Sequence, residues 1–409
     1  MKIVLFEIRK NILRKTVVIP AIVLLFINML VIYAQYRYNN DAFTDELTTY
    51  NSSEKEWNYY KKLHVQFDGE ITENKQDKII ELYNNLKEKI DKGDYERGYT
   101  EDAKTGYVFG DYSLVESKFY LPIKYFVSYA DKNEEIVNRA KENVEFYQKN
   151  KNSYGLKKNC YIANQYAGRI LSEFYDTTGW KKLFYYNFSD VLLIILMFLC
   201  IVPLFHQERI SGMENIILGT KKGNKMYLLG KYLSIVIGII TFLIIVTGVN
   251  YFMFDMIYGL KGAEIPNYAI EEFQYSPYNL SMIQTYLAIF GCKCLAVIVI
   301  CTFLCFISNI SRNTIMSFVL FSVITIVALY GSGFICSDNS YRVMWAVISP
   351  FALFKSVNMF KSLYDINMFG NFFLRINSCI VAQLIIEIIL ILLSYWKYKH
   401  CNMKKKVQV

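Results

Sequence analysis

HQERISGMENIILGTKKGNKMYLLGK, residues 206–231, lies between two long apolar segments, and its reading decides how the rest of the chain is understood. Two acids, Glu208 and Glu214, precede Gly219-Thr220, the pair Lys221-Lys222 and a closing Lys231. A loop needed only to join two membrane helices can be shorter and plainer. This mixture of acids, glycines and lysines marks a segment built to be held by something on its own side of the membrane.

The flanks make the chain a membrane protein. Of 409 residues, 54% are hydrophobic, yet 20% are charged, which is high for a protein made only of spans. The charge is concentrated in a polar block from about residue 37 to residue 182, rich in Lys, Glu, Asn and Tyr. The net charge of +9 sits largely in Lys and Arg beside apolar runs, which is the pattern of membrane-proximal anchors. A nucleic-acid partner would need a basic, aromatic-studded soluble face, and none is present.

A spanning helix needs about 20 predominantly apolar residues. Six segments qualify: Thr16–Tyr36, Leu183–Phe205, Tyr232–Phe254, Thr285–Ser308, Thr314–Ile335 and Ile376–Trp396. The first is longer than a signal-peptide core, contains Pro20 and lacks a small-x-small cleavage site, so it reads as an anchor. Basic residues of the short segments cluster on one side: Lys2 to Lys15, Arg209 to Lys231, Arg312, and Lys397 to Lys406. The other side's short loops hold only Lys261, Arg342, Lys355, Lys361 and Arg375. The positive-inside rule then places both termini in the cytoplasm and residues 37–182 outside. The opening MKIVLFEIRKNILRK mixes Ile3, Leu5, Phe6, Ile8, Ile12 and Leu13 with basic residues, as an interfacial helix does.

The expected fold is therefore an all-α polytopic membrane protein. Residues 1–36 hold the interfacial helix and first span, 37–182 a mainly helical extracellular domain, and 183–409 spans two to six, with loops 206–231 and 336–375. In the domain, Ile79, Leu82, Leu86 and Ile90 share one helical face over Asp77–Ile90, and Ile136, Val137, Ala140 and Val144 share another over Asn133–Gln148. A third helix is expected over Tyr161–Tyr175, and Tyr107–Tyr129 is aromatic and β-branched enough for short strands. Roughly 145 residues suffice for an independent core.

Catalytic machinery is hard to find. His64, His206 and His400 fall in different places, and no GxSxG elbow, HExxH or dinucleotide fingerprint occurs. Gly219–Lys225, GTKKGNK, has the wrong spacing for a phosphate loop and lacks its hydroxyl. Cys200, Cys292, Cys294, Cys301, Cys305 and Cys379 lie in apolar runs without histidine, so they read as packing residues and not as a zinc site. Cys160 and Cys336 both fall outside the membrane in this topology and could pair. The chain reads as no enzyme.

The order of features resembles the permease subunits of bacterial type-2 ATP-binding-cassette (ABC) transporters. The residues that carry the resemblance are Gly179-Trp180 before the second span, Glu208 and Gly212 just after it, Glu214 to Lys231, and Ser349-Pro350-Phe351 in the last external loop. The resemblance implies that Glu208, Arg209, Gly212, Glu214, Gly219 and Thr220 belong to a segment docking on a separate ATPase subunit. It also implies that Met344–Phe373 forms short helices dipping into the outer leaflet. ATP would be bound by the partner subunits, with no cofactor in this chain. Two permease subunits, as a homodimer or heterodimer in the bacterial cell membrane, would move an amphipathic substrate such as a peptide, antimicrobial or lipid. The alternative is a membrane sensor or immunity protein whose extracellular domain binds a peptide and signals through a partner.

Two charges remain inside the spans: Lys293 in the fourth and Glu387, within QLIIEIIL, in the sixth. Such ions face protein or water. They are expected along a substrate path, or as a structural pair. At 1.5 Å per residue their depths differ by only about 4 Å, which permits pairing; Lys293 can alternatively snorkel outward.

Overall fold

A computed structural model describes residues 2–38, 53–93, 103–213, 216, 223–311 and 313–406. Six helical segments are long and apolar enough to cross a membrane: Lys15–Tyr36, Thr178–Ile210, Leu228–Tyr258, Met282–Ile310, Thr314–Cys336 and Arg375–Trp396. They coincide in place with the expected spans and fit a multi-pass membrane protein. The second is interrupted, with helices Thr178–Tyr185, Phe188–Ile201 and His206–Ile210 in succession. Pro203, which has no N–H to donate, sits in the second break. The third span belongs to a longer helix, Gly223–Tyr258, so Lys231 lies within a helix and not in the connecting loop.

The N-terminal helix Lys2–Asn11 packs along this third-span helix. Close approach depends on two glycines eight residues apart. A Cβ on Gly238 would stand 2.7 Å from Ile12, and one on Gly230 would stand 3.0 Å from Ile3. Ser234, wholly buried, falls between them at the same four-residue spacing. Leu5, Phe6 and Leu13 stay exposed, while Glu7 and Asn11 turn inward and are joined by a 2.7 Å hydrogen bond. The helix thus presents an apolar side outward and a polar one to the bundle.

After the fifth span, helix Ser340–Ile348 and the helical stretch Pro350–Lys361 meet at 100°. Pro350 supplies the stop, and the freed carbonyls of Val347 and Ile348 each accept from Gln383 Nε2 of the sixth span at 3.0 Å. An antiparallel hairpin, Asp365–Met368 with Asn371–Leu374, then leads into the sixth span.

The domain between the first two spans is helical: Ser53–Phe67, Glu73–Asp91, Val108–Val115, Leu121–Lys149 and Ser153–Tyr166. Tyr107–Tyr129, aromatic enough for strands, is helical instead, with a π-helical turn at Glu116–Tyr120. The reason is periodicity. Its buried residues Val115, Phe119, Ile123 and Phe126 recur every three or four positions, not every two. The third expected helix lies earlier, at Ser153–Tyr166, because Asn152 caps it by accepting from Gly155 N at 2.9 Å. Part of the stretch that follows instead forms a short ribbon, Gly69–Glu70 against Glu173–Phe174.

The domain is bound to the span loops mainly by side chains donating to backbone carbonyls. Tyr125, Tyr161 and Tyr166 hydroxyls donate to the carbonyls of Tyr268, Pro277 and Tyr275 at 2.7, 2.7 and 2.8 Å. Arg169 donates to Ser276 O at 3.1 Å. The acceptors belong to the largely irregular loop between spans three and four, whose carbonyls need donors once covered. Trp180, fully buried at the base of the second span, donates to Lys261 O at 2.8 Å. A Cβ on neighbouring Gly179 would meet Tyr258 and Leu260 at 2.8 and 2.9 Å, so only glycine lets this turn close.

Glu272 ties three elements together, meeting Lys181 at 2.5 Å, Tyr185 at 2.9 Å and Lys361 at 3.2 Å. Burial pushes its carboxyl up, but the hydrogen bonds from Lys181 and Tyr185 and the lysine charge outweigh it and hold the value near about 2, against an ordinary 4.5. Its contribution is thus complete above pH 4.5 and is lost as pH falls toward about 2. Glu272→Gln should cost about 1 kcal/mol at neutral pH, the scale of part-exposed pairs. Thermal melts in detergent should show the gap from wild type narrowing below pH 4.5; a gap constant from about pH 7 to about pH 3 would contradict this role.

Candidate functional site

The connector begins as the five-residue helix His206–Ile210, which ends where Ser211 and Gly212 donate back to Gln207 O and Arg209 O at 3.1 and 3.2 Å. Gly212 has φ of 71°, a left-handed conformation that favours glycine and stops the helix. Glu214, Gly219 and Thr220, the rest of the expected docking segment, lie outside the described residues.

Glu208 is not on the surface. It is 4% exposed and accepts from Lys10 of the N-terminal helix and, at 2.5 Å, from Lys231 of the third-span helix. Lys231 is completely buried, donates also to Leu204 O at 3.2 Å, and lies 4.6 Å over the Phe205 ring. Arg209 turns to the other flank and donates to Ser311 O at 2.8 Å and Asn309 O at 2.7 Å, capping the end of the fourth span. His206 shares a 2.8 Å hydrogen bond with Ser317 of the fifth. Arg14, at the start of the first span, donates to Gln207 at 3.0 Å. One short helix is therefore pinned to the N-terminal helix and to spans one, three, four and five.

Among the described residues of the connector, Gln207, Ile210, Ser211, Met213 and Ile216 are exposed. Ile210 is 85% exposed, Ile216 66% and Met213 45%. Glu208 and Arg209 thus hold the segment in place, and Ile210, Met213 and Ile216 are its exposed large apolar side chains among the described residues. The sequence marks the segment but not this division, because facing depends on neighbours that arrive from elsewhere in the chain.

Lys293 and Glu387 are not paired. Lys293 Nζ lies 2.8 and 3.0 Å from the two carboxylate oxygens of Asp190 in the second span. Glu387 accepts from Thr302 of the fourth span at 2.7 Å, and its other oxygen has no hydrogen-bond partner. Equal depth was a necessary condition for pairing; helix adjacency and azimuth decided the partners. Asp190 was the missed residue, although a carboxylate inside an apolar run is itself a functional signal.

Around the Asp190–Lys293 pair lies a polar layer drawn from four spans. Asn28 of the first donates to Asn250 of the third at 2.6 Å, and Tyr186 of the second donates to Asn28 at 2.9 Å. A void of 30 Å³ adjoins them, lined by Tyr186, Asp190, Asn250, Tyr286 and Lys293 among others. That volume accommodates about one water, for which the polar lining supplies partners.

Compared with known protein families, characterised proteins and solved structures, the chain matches none.

Glu208→Gln should strand Lys231 in a buried site and destabilise the protein by about 3–5 kcal/mol, the scale for breaking a buried pair on one side. Adding Lys231→Met should restore part of that loss, whereas Lys10→Ala, at the exposed end of the clamp, should cost less. Thermal melts of the four proteins in detergent measure this. Equal stability of Glu208→Gln and wild type would exclude the clamp.

Proposed function

We propose that the chain is the membrane-spanning permease subunit of an ATP-driven transporter of the type-2 ABC kind. It moves an amphipathic substrate, a peptide, antimicrobial or lipid, across the bacterial cell membrane. Separate ATPase subunits bind and hydrolyse the ATP, and two permease subunits enclose the path. The clustering of basic residues supports a topology with both termini and the connector in the cytoplasm and the domain between spans one and two outside.

The observation that carries the reading is the connector itself. The short helix His206–Ile210, followed by the exposed Met213 and Ile216, is pinned through Glu208, Arg209, His206 and Gln207 to the N-terminal helix and four spans. A rigid element of this kind passes displacement on to what it is bonded to, because packed interiors move between discrete arrangements and do not deform smoothly. An ATPase that closes on ATP needs such a handle. Three further features support the reading: the interfacial helix at the start, the sharply bent pair after the fifth span, and Asp190–Lys293 inside the bundle, where charges mark pathways and gates.

The double variant Ile210→Asp with Met213→Asp changes only exposed side chains, so the permease should fold and insert normally. Its co-purification with an ATPase subunit from the native host, in mild detergent, should fall at least tenfold. Wild-type protein that brings down no ATPase would overturn the transporter reading, and a double variant that retains a stoichiometric ATPase would overturn the docking surface.

A further inference from the structure

We infer that Glu387 is a proton-binding site in the middle of the bundle, held as a neutral carboxylic acid in this arrangement of the spans. At 1.5 Å per residue it lies about 18 Å along the sixth span, Arg375–Trp396, and so near its midpoint. Its surroundings hold nothing to balance a negative charge. Among the described residues its one hydrogen-bond partner is Thr302, and Oε2 is buried with none. The titratable side chains within electrostatic reach are Tyr232 of the third span and Cys301 and Cys305 of the fourth, none of which can carry positive charge. Lys293 is taken by Asp190. A carboxylate out of water with no partner takes up a proton in preference to bearing that cost.

The count of hydrogens at Thr302 points the same way. Its Oγ1 stands 2.7 Å from Glu387 Oε1 and 3.0 Å from Ile298 O, the carbonyl one turn earlier in its own helix. A hydroxyl has a single proton to donate. With Glu387 ionised, neither the carboxylate nor the carbonyl can supply a second, so only one of the two contacts is a hydrogen bond. With Glu387 neutral, the bond between the two side chains reverses. The carboxyl O–H donates to Thr302 Oγ1, and Thr302 donates back to Ile298 O, as hydroxyls inside helices do. Both contacts are then made, the first at the usual length for O–H···O. Oε2 is left as a carbonyl oxygen, whose missing partner costs far less than an unpartnered charge.

The proton thus joins span six to span four. Any movement that parts the two helices wets Glu387 and removes the reason for it to stay neutral, so the closed contact binds a proton and the opened one releases it.

Purified full-length protein in nanodiscs should be treated with dicyclohexylcarbodiimide at about pH 7, where ordinary carboxyls are ionised. The reagent attacks protonated carboxyl groups in apolar surroundings, and mass spectrometry of the digest locates it. Glu387 should be modified, and Asp190, ion-paired to Lys293, at least tenfold less. The infrared difference between wild type and Glu387→Gln should contain the carbonyl band of a protonated carboxyl and no carboxylate bands. Carboxylate bands in that difference, or folded wild-type protein whose Glu387 resists the reagent, would overturn the proton site. The labelling needs no variant, so it decides even where Glu387→Gln fails to fold. Neither measurement involves an ATPase, so this site and the permease reading fail separately.

Discussion

One carboxylate holds the connector end of the bundle together. Glu208 is taken out of water with two lysines around it, one of them wholly buried. Desolvating a charge costs several kcal/mol, and attraction to its partners repays this only where geometry and extra hydrogen bonds are good. Here Lys231 gains a backbone carbonyl and an aromatic face as well as the acid. The register of the N-terminal helix along the third span puts Lys10 and Lys231 on the same carboxylate while seating Ile3 and Ile12 over glycines 230 and 238. The connector inherits its position from that match.

Deeper in the bundle, specificity comes from a different polar layer. Apolar side chains do not by themselves choose between neighbouring helices in lipid, because lipid tails are as apolar as leucine. Asp190–Lys293 joins spans two and four, Asn28–Asn250 joins one and three, and Gln383 joins the sixth to the bent pair. Each such bond contributes on the order of 1 kcal/mol in lipid, yet each excludes the many arrangements in which it would be unmade.

The polar domain obeys the opposite logic. Its helices share one continuous core with the spans and rest on a loop whose carbonyls would go unsatisfied without the tyrosines of Leu121–Lys149 and Ser153–Tyr166. A chain so rich in tyrosine can line such a contact with rings and still deliver a hydroxyl to each acceptor.

Apolar run length determined the number and place of the spans from sequence alone, since about 20 apolar residues have few alternatives to crossing a bilayer. Helical periodicity likewise revealed the faces around Ile79 and Val137, because a 3.6-residue repeat is a local property. The segment 206–231 stood out by composition, although Glu208 and Arg209 turned out to face the bundle, leaving Ile210, Met213 and Ile216 to face outward. Partnerships were another matter. Lys293 meets Asp190 and not Glu387, and Glu208 meets lysines about 198 and 23 residues away, because adjacency and rotation of helices depend on the packing of all of them at once. Sequence carries the length and period of each helix; only the assembled bundle decides which buried charge each side chain can reach.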